Sequence, residues 1–515
     1  MKSLKKLAGF VFYFIFILSF VWVSGQLFFE KQTNALLASV TEYFLREDVS
    51  VEKITHLKVV YPDEPQTLEP TLTDPTVRQR INNIYEPLVR PDRDLTMRPA
   101  LALSWGLMDD TTWDFRLRPN VFFHDGTPFT VLDVIASLNR AMNHESSQLT
   151  GLLASIESMQ VIDELRFRIT TRHPDPLLLQ RLSSVLIIPA EFEEKENFEP
   201  VGTGSYEFLD WDRGDKITLK RFENYWDPIS KFEKVDMFSR LNKTERVMMF
   251  VNGDAHFLAF VPYDTVDFLE ERNFEIVGIP SLEVQFLVFN MNSTILDDVG
   301  KRRVISMAVD QTNFVEQLGG YAHPVSQFIS NGVFGFNPRI EHHVYDLEKA
   351  DSLAEELELK GKTLTLHLPM GLTVLGEHMR QQLAEIGIYL IVSYLEPSDF
   401  LASIQEGKAD IYFLGFRASR GDSADFLDVV VHSDAEFNLA NYSNPEVDLL
   451  IEQSFMEMDP SVRIADLQEV MRIIVEEDVL GIPLFEYNTL YSFTDSLEFT
   501  PRIDGFIYFD ELRLK

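Results

Sequence analysis

The 515-residue sequence predicts an exported α/β protein of two or three domains, on three observations. The chain exceeds the roughly 250–300 residues at which a single hydrophobic core stops growing. Apolar residues recur at spacings of three and four from Asp346 to Leu357 and from Gly376 to Ile386; Gly387 stops the second run, and Ile388 to Val392 comes next as an apolar strand. Helix, tight glycine turn and strand in that order argue for α/β layers. Lastly, Lys2, Lys5 and Lys6 precede an uncharged stretch from Leu7 to Phe29, which keeps the N-terminus inside and exports the rest of the chain.

That stretch of roughly 23 residues would run about 35 Å as a helix, enough to cross a hydrocarbon core. Val23-Ser24-Gly25 before Gln26 is also an acceptable small-residue cleavage site, so residues 1–30 read as a signal peptide or a membrane anchor. Residues 31–55, with Leu36, Leu37, Val40, Phe44 and Leu45 at near-helical spacing, read as a stalk. The body opens at His56–Tyr61, an alternating strand stopped by Pro62 and Pro65. Trp113–Arg118 and Ile217–Lys220 alternate likewise, while Val284–Phe289 is the near-continuous apolar run of a strand buried on both faces. No internal repeat interrupts the pattern.

Composition narrows the function. Lys and Arg total 46 against 81 Asp and Glu, a formal charge of −35, and such a field repels nucleic acid. The sequence has no cysteine, which excludes disulfides, thiol catalysis, Cys-ligated zinc and lipid attachment at a cleavage-site cysteine. The acidity itself reads as a solvated surface, with steering of cationic ligands as the alternative.

An ordered series of motifs carries a family likeness. It begins with Pro65-Gln66-Thr67-Leu68-Glu69-Pro70 and Tyr85-Glu86-Pro87-Leu88-Val89-Arg90. Phe123-His124-Asp125-Gly126-Thr127-Pro128-Phe129-Thr130 and Pro200-Val201-Gly202-Thr203-Gly204-Ser205-Tyr206 with Tyr225-Trp226 come next, then Asn444-Pro445-Glu446-Val447-Asp448 and Ile482-Pro483-Leu484-Phe485. Over roughly residues 56 to 490 the chain resembles the family 5 extracellular solute-binding proteins, the peptide- and nickel-binding components of ABC importers. Ser205 departs from the family, which has proline there.

The resemblance implies a two-lobed periplasmic binding protein fold of type II, peptide-binder class, with an inserted helper subdomain. Lobe I is expected at 56–78, 181–280 and 479–515, the insertion at 79–180 and lobe II at 281–478. The implied function is capture of a peptide or peptide-sized solute by hinge closure and delivery to ABC permease subunits, by a monomer lying outside the cytoplasm. The alternatives are a membrane-anchored sensor, or the same fold holding an oligosaccharide, a nickel complex or haem.

The segment resembling the family's ligand contacts is Leu414-Gly415-Phe416-Arg417-Ala418-Ser419-Arg420-Gly421-Asp422. Peptide-binding relatives have tryptophan at the position of Phe416 and, at that of Ser419, an aspartate that pairs with the ligand's α-ammonium. A neutral Ser419 supplies no such charge, and Arg417 and Arg420 favour a carboxylate or phosphate instead. Asp422 is the substitute amine site if the loop is shifted; alternatively the arginines balance Asp422 and Asp425. Asp74 matches an acidic cleft position, or caps the helix that starts at Pro75.

Other motifs read as architecture. His124-Asp125-Gly126-Thr127 and Gly202-Thr203-Gly204 read as turns, because a phosphate loop needs more glycines and a helix after them. The pair His342-His343 reads as surface loop, since adjacent side chains point apart. His144-Glu145-Ser146-Ser147-Gln148 lacks the second histidine of a zincin. No enzyme, metal or cofactor is expected.

Overall fold

The computed structural model describes residues 54–515 apart from His343. The apolar run Leu7–Phe29 and nearly all of the stalk lie outside the described residues. Among the described residues no helix is long and apolar enough to cross a membrane. The described chain divides into two compact units, one of residues 54–279 together with Thr489–Lys515, the other Pro280–Asn488.

The first unit begins with β1 (His56–Tyr61), which Pro62 ends as the sequence predicts. A short hairpin of β2 (Val89–Pro91) and β3 (Met97–Pro99) leads into an antiparallel sheet of β4 (Ala102–Leu107), β5 (Thr112–Leu117), β6 (Ile156–Asp163) and β7 (Arg166–Thr171), in the order β4-β5-β7-β6. Alternation places Trp113, Phe115 and Leu117 of β5 inward. Phe115 stacks on Phe167 of β7 with ring centres 5.1 Å apart. The helix Val131–Asn143 packs beside this sheet; its start carries a complete capping box between Thr130 and Asp133.

The larger sheet of this unit adds β8 (Tyr206–Asp212), β9 (Lys216–Arg221), β10 (Lys234–Ser239) and β11 (Phe257–Ala259). β1 lies parallel to both β10 and β11, while β9 returns antiparallel on β10. Under it sits a core that includes Leu57, Val59, Tyr61, Phe257, Tyr491 and Phe499. Phe257 meets Phe499 edge-on with ring centres 5.0 Å apart.

The second unit opens within β12 (Ile276–Phe289), whose residues 284–289 are buried without alternation, as a strand covered on both faces should be. With β13 (Ala322–Pro324), β14 (Thr363–Pro369), β15 (Tyr389–Leu395), β16 (Ile411–Arg417) and β17 (Gly481–Phe493) it gives the strand order β15-β14-β16-β12-β17. β14 runs parallel to β15 and β16, and the helix Thr373–Glu385 makes the crossover between β14 and β15. Gly387 ends that helix at φ +75°, the left-handed turn expected of it. The chain returns to the first unit inside β17, after Asn488 rather than after 478, because the returning strand starts within the second unit. The short strands β18 (Leu497–Glu498) and β19 (Arg513–Leu514) close the first unit.

Candidate functional site

The last residues of β16 and the turn after them carry most of the predicted contacts. β16 and β12 are antiparallel, with Gly415 opposite Gln285 and Arg417 opposite Glu283. Gly415 packs closely on its partner: a Cβ there would stand 2.5 Å from Gln285 Oε1, so that amide would have to shift. The Gln285 amide Nε2 donates to Glu283 Oε1 at 2.8 Å. Burial pushes the Glu283 carboxyl up, and Arg417 pulls it back. Phe416, half-buried, meets Phe426 edge-on with ring centres 5.2 Å apart.

Beyond Arg417 the backbone folds tightly. Ala418 N–H donates to the Leu282 carbonyl at 3.0 Å, Ser419 N–H to the Arg417 carbonyl at 2.9 Å, and Gly421 N–H to the Ala418 carbonyl at 2.9 Å. Ser419 is exposed at the apex. Arg420 forms an ion pair with Asp425 through Nη2.

Asp422 is occupied. It is fully buried; Oδ2 accepts from Arg463 Nη1 at 2.7 Å, Oδ1 from Arg463 Nη2 at 2.8 Å and from the Ala424 N–H at 3.0 Å. Burial pushes its carboxyl up and the guanidinium fork counters that. A carboxylate that is fully buried and whose charge is already paired with an intramolecular arginine is not presented to a ligand ammonium, so Asp422 holds the turn. Arg463, on the helix Pro460–Arg472, has no signal in the sequence that joins it to Asp422.

Asp74 caps the helix Pro75–Ile81, its side chain accepting from the Val77 N–H at 2.9 Å. Of the two readings of this residue, the capping one describes its bonds. His342 is exposed in a loop, and His343 lies outside the described residues. No group of three or more metal-ligating side chains occurs among the described residues.

The family motifs of the first unit meet one another. His124 Nδ1 accepts from the Gly202 N–H at 3.3 Å and Nε2 faces the Gly204 carbonyl at 3.0 Å, the pattern of a neutral ring protonated on Nε2. Burial holds the His124 pKa down at about 4. Glu86 is buried, with Oε2 accepting from Thr203 Oγ1 at 2.8 Å and Trp226 Nε1 at 2.9 Å, and Oε1 from the Tyr225 hydroxyl at 3.0 Å. Cβ atoms at Gly202 and Gly204 would stand 2.1 Å and 2.7 Å from the Ile84 carbonyl oxygen. These glycines admit a second backbone, and so the motifs are joints of the unit.

The chain is an α/β protein of two units, crossed twice within strands, and the polar motifs of its first unit are absorbed into structure. Residues 96–438 match the sequence profile of the bacterial extracellular solute-binding proteins, family 5 Middle, and the chain belongs to that family. It is 27% identical over 444 residues to the glutathione-binding protein GsiB of Escherichia coli strain K12, an alignment covering 81% of this chain and 86% of GsiB. HbpA2 from Haemophilus parasuis shares the fold with a TM-score of 0.83 at 19% identity, over 89% of this chain and 100% of that one. The ABC transporter-associated periplasmic binding protein DppA from Helicobacter pylori, in complex with the peptide STSA, does so with a TM-score of 0.70 at 22% identity, over 89% of this chain and 98% of DppA.

Proposed function

We propose that this solute-binding protein captures a peptide or peptide-sized solute outside the cytoplasm through a carboxylate additional to the C-terminal one that every peptide carries, closes on it, and presents it to the permease of an ABC importer without transforming it. The observation that carries the reading is the charge inventory after β16. Ser419 is neutral where amine-binding relatives are acidic, Asp422 is consumed by Arg463, and Arg420 is held by Asp425. The turn thus offers a ligand ammonium no uncommitted acid, while Arg417 brings a positive charge to the end of the strand, opposite the half-buried Glu283. Phe416, Arg417 and Ser419 are therefore the contacts we assign, with Gly415 shaping the strand beneath them; Arg420, Asp422 and Asp74 act through structure.

A relative named for glutathione supports this class, since glutathione is a tripeptide with two carboxylates and one ammonium, and a neighbour complexed with the peptide STSA supports peptides in general. We also propose that Leu7–Phe29 tethers the protein to the cytoplasmic membrane and that it works as a monomer. Recovery of the full-length chain in the washed membrane fraction tests the tether; recovery of a mature chain starting at Gln26 in the soluble fraction refutes it. For the ligand, acidic peptides should raise the melting temperature of the wild type more than neutral ones, and Arg417→Ala should erase the difference. Equal shifts from acidic and neutral peptides in the wild type would reject the carboxylate reading.

A further inference from the structure

A second group of buried charges lies at the C-terminal end of β1. Arg80, on the helix Pro75–Ile81, lays its guanidinium 3.6 Å from the centre of the Tyr61 ring and donates Nη2 to the Asp63 carbonyl oxygen at 2.6 Å. Arg246, on the helix Lys243–Val251, donates Nη1 to the Arg240 carbonyl oxygen at 2.8 Å, and the Arg240 N–H donates to the Tyr61 carbonyl at 2.9 Å. The exposures of Arg80, Arg246 and Tyr61 are 1%, 0% and 0%. Yet Arg80 Nε, Arg246 Nε, Arg246 Nη2 and the Tyr61 hydroxyl have no hydrogen-bond partner. Buried donors without acceptors are rare, and these four belong to residues grouped around Asp63 at the end of β1, with Arg80 on the Tyr61 ring and both arginines acting on the Asp63 carboxyl.

Which atoms are open decides the chemistry of an occupant. With Nη1 anchored, Arg246 keeps its Nε–Nη2 edge, the fork that matches the two oxygens of a carboxylate or phosphate. Burial pulls both arginines down to about 10, which leaves them charged at neutral pH. The acids that face them are Asp63, whose carboxyl burial pushes up, and Asp264, whose Oδ2 is held by Lys243 while its Oδ1 is buried without a partner. Asp74 and Glu64 bear on Arg80 from further along the chain; Asp74 caps its helix, and Glu64 accepts from Trp211 Nε1 at 2.9 Å and the Gly214 N–H at 2.8 Å. Position agrees. Tyr61 ends β1 and Arg240 comes just after β10, two parallel strands, and the carboxyl ends of parallel strands are where α/β sheets hold ligands.

We propose that Arg80, Arg246 and the Tyr61 hydroxyl form an oxyanion site in the first unit that takes a carboxylate. The site stands on its own geometry; only the identification of that carboxylate as part of the transported solute rests on the proposed capture of an anionic cargo.

Succinate titrated by calorimetry into the full-length protein, against chloride at matched ionic strength, tests it, with inorganic phosphate as a second oxyanion. Succinate should bind the wild type, and Arg80→Gln and Arg246→Lys should each weaken it about tenfold or more, the lysine because it keeps the charge and loses the fork. Tyr61→Phe should weaken it severalfold. Tighter binding of phosphate than of succinate would assign the site to a free inorganic anion and overturn the carboxylate. Absence of succinate binding to the wild type overturns the site and leaves ordered water as its content. Unchanged affinity in both Arg80→Gln and Tyr61→Phe also overturns it, and these two variants decide the matter if Arg246→Lys fails to fold. Peptide discrimination is read separately: succinate binding alongside equal affinity for acidic and neutral peptides keeps the site and rejects the anionic cargo.

Discussion

Two buried polar clusters of the same unit differ in one respect. Around Glu86 and His124 both carboxylate oxygens and both ring nitrogens have partners, drawn from segments more than a hundred residues apart for Glu86 and about eighty for His124. Around Tyr61, Arg80 and Arg246 four donor atoms have none. A polar group buried with its partners stabilises the fold and has no capacity left for a ligand, whereas one buried without them costs free energy until something fills it. In this family member Glu86 and His124, both within recognisable motifs, belong to the first kind, and the open donors of the second cluster lie at residues that no motif marks.

That contrast can be broken by substitution. The largest effect is expected at Arg463, in the second unit, whose loss strands the buried Asp422: Arg463→Met should lower unfolding free energy by about 3–5 kcal/mol in denaturant titrations. A loss under about 1 kcal/mol would show that Asp422 is not held as described, and would reopen it as a ligand contact.

The next effect is one of pH. Folded His124 titrates at about 4, below its ordinary 6.5, so between those values the unfolded chain binds a proton that the folded chain refuses. Stability is therefore complete above pH 6.5 and falls as pH drops toward 4, by up to about 3 kcal/mol from this residue. His256, likewise held at about 4 by burial and by Lys58, acts in the same direction. Denaturation midpoints compared at pH 7 and pH 5 should separate in the wild type and approach one another in His124→Asn. An unchanged separation would mean that the ring is not the closed joint described.

Smaller still, Glu86→Gln places an amide N–H₂ against hydroxyl and indole donors and should cost about 2 kcal/mol. At the other extreme Tyr61→Phe removes a hydroxyl that bonds nothing and should change stability by less than about 0.5 kcal/mol while lowering succinate affinity. This last pair sharpens the comparison most, because the same kind of measurement should respond at the satisfied cluster and stay silent at the open one.

Local patterns were a sound guide where they had a local cause. The alternating run at His56–Tyr61, the apolar run at Val284–Phe289 and the stop at Gly387 became β1, the buried part of β12 and a left-handed turn, since pleat, burial and φ act within a few residues. The helix start at Asp74-Pro75 was equally local. The candidate site was legible only in part: its place after β16 could be read, but the employment of its charges could not. Arg420 and Asp425 are near neighbours on the chain, and their pairing stood as one of two readings.

By itself the sequence determined the family, the types of the strands and helices named above and the helix stop at Gly387. Only tertiary structure decided which charged groups are spent: Asp422 on Arg463, Glu86 on Thr203, Tyr225 and Trp226, and Arg80 and Arg246 on no side chain that closes their forks. The physical reason is that a hydrogen bond is satisfied by proximity in space, and partners dozens to hundreds of residues apart leave no periodicity along the chain to reveal them.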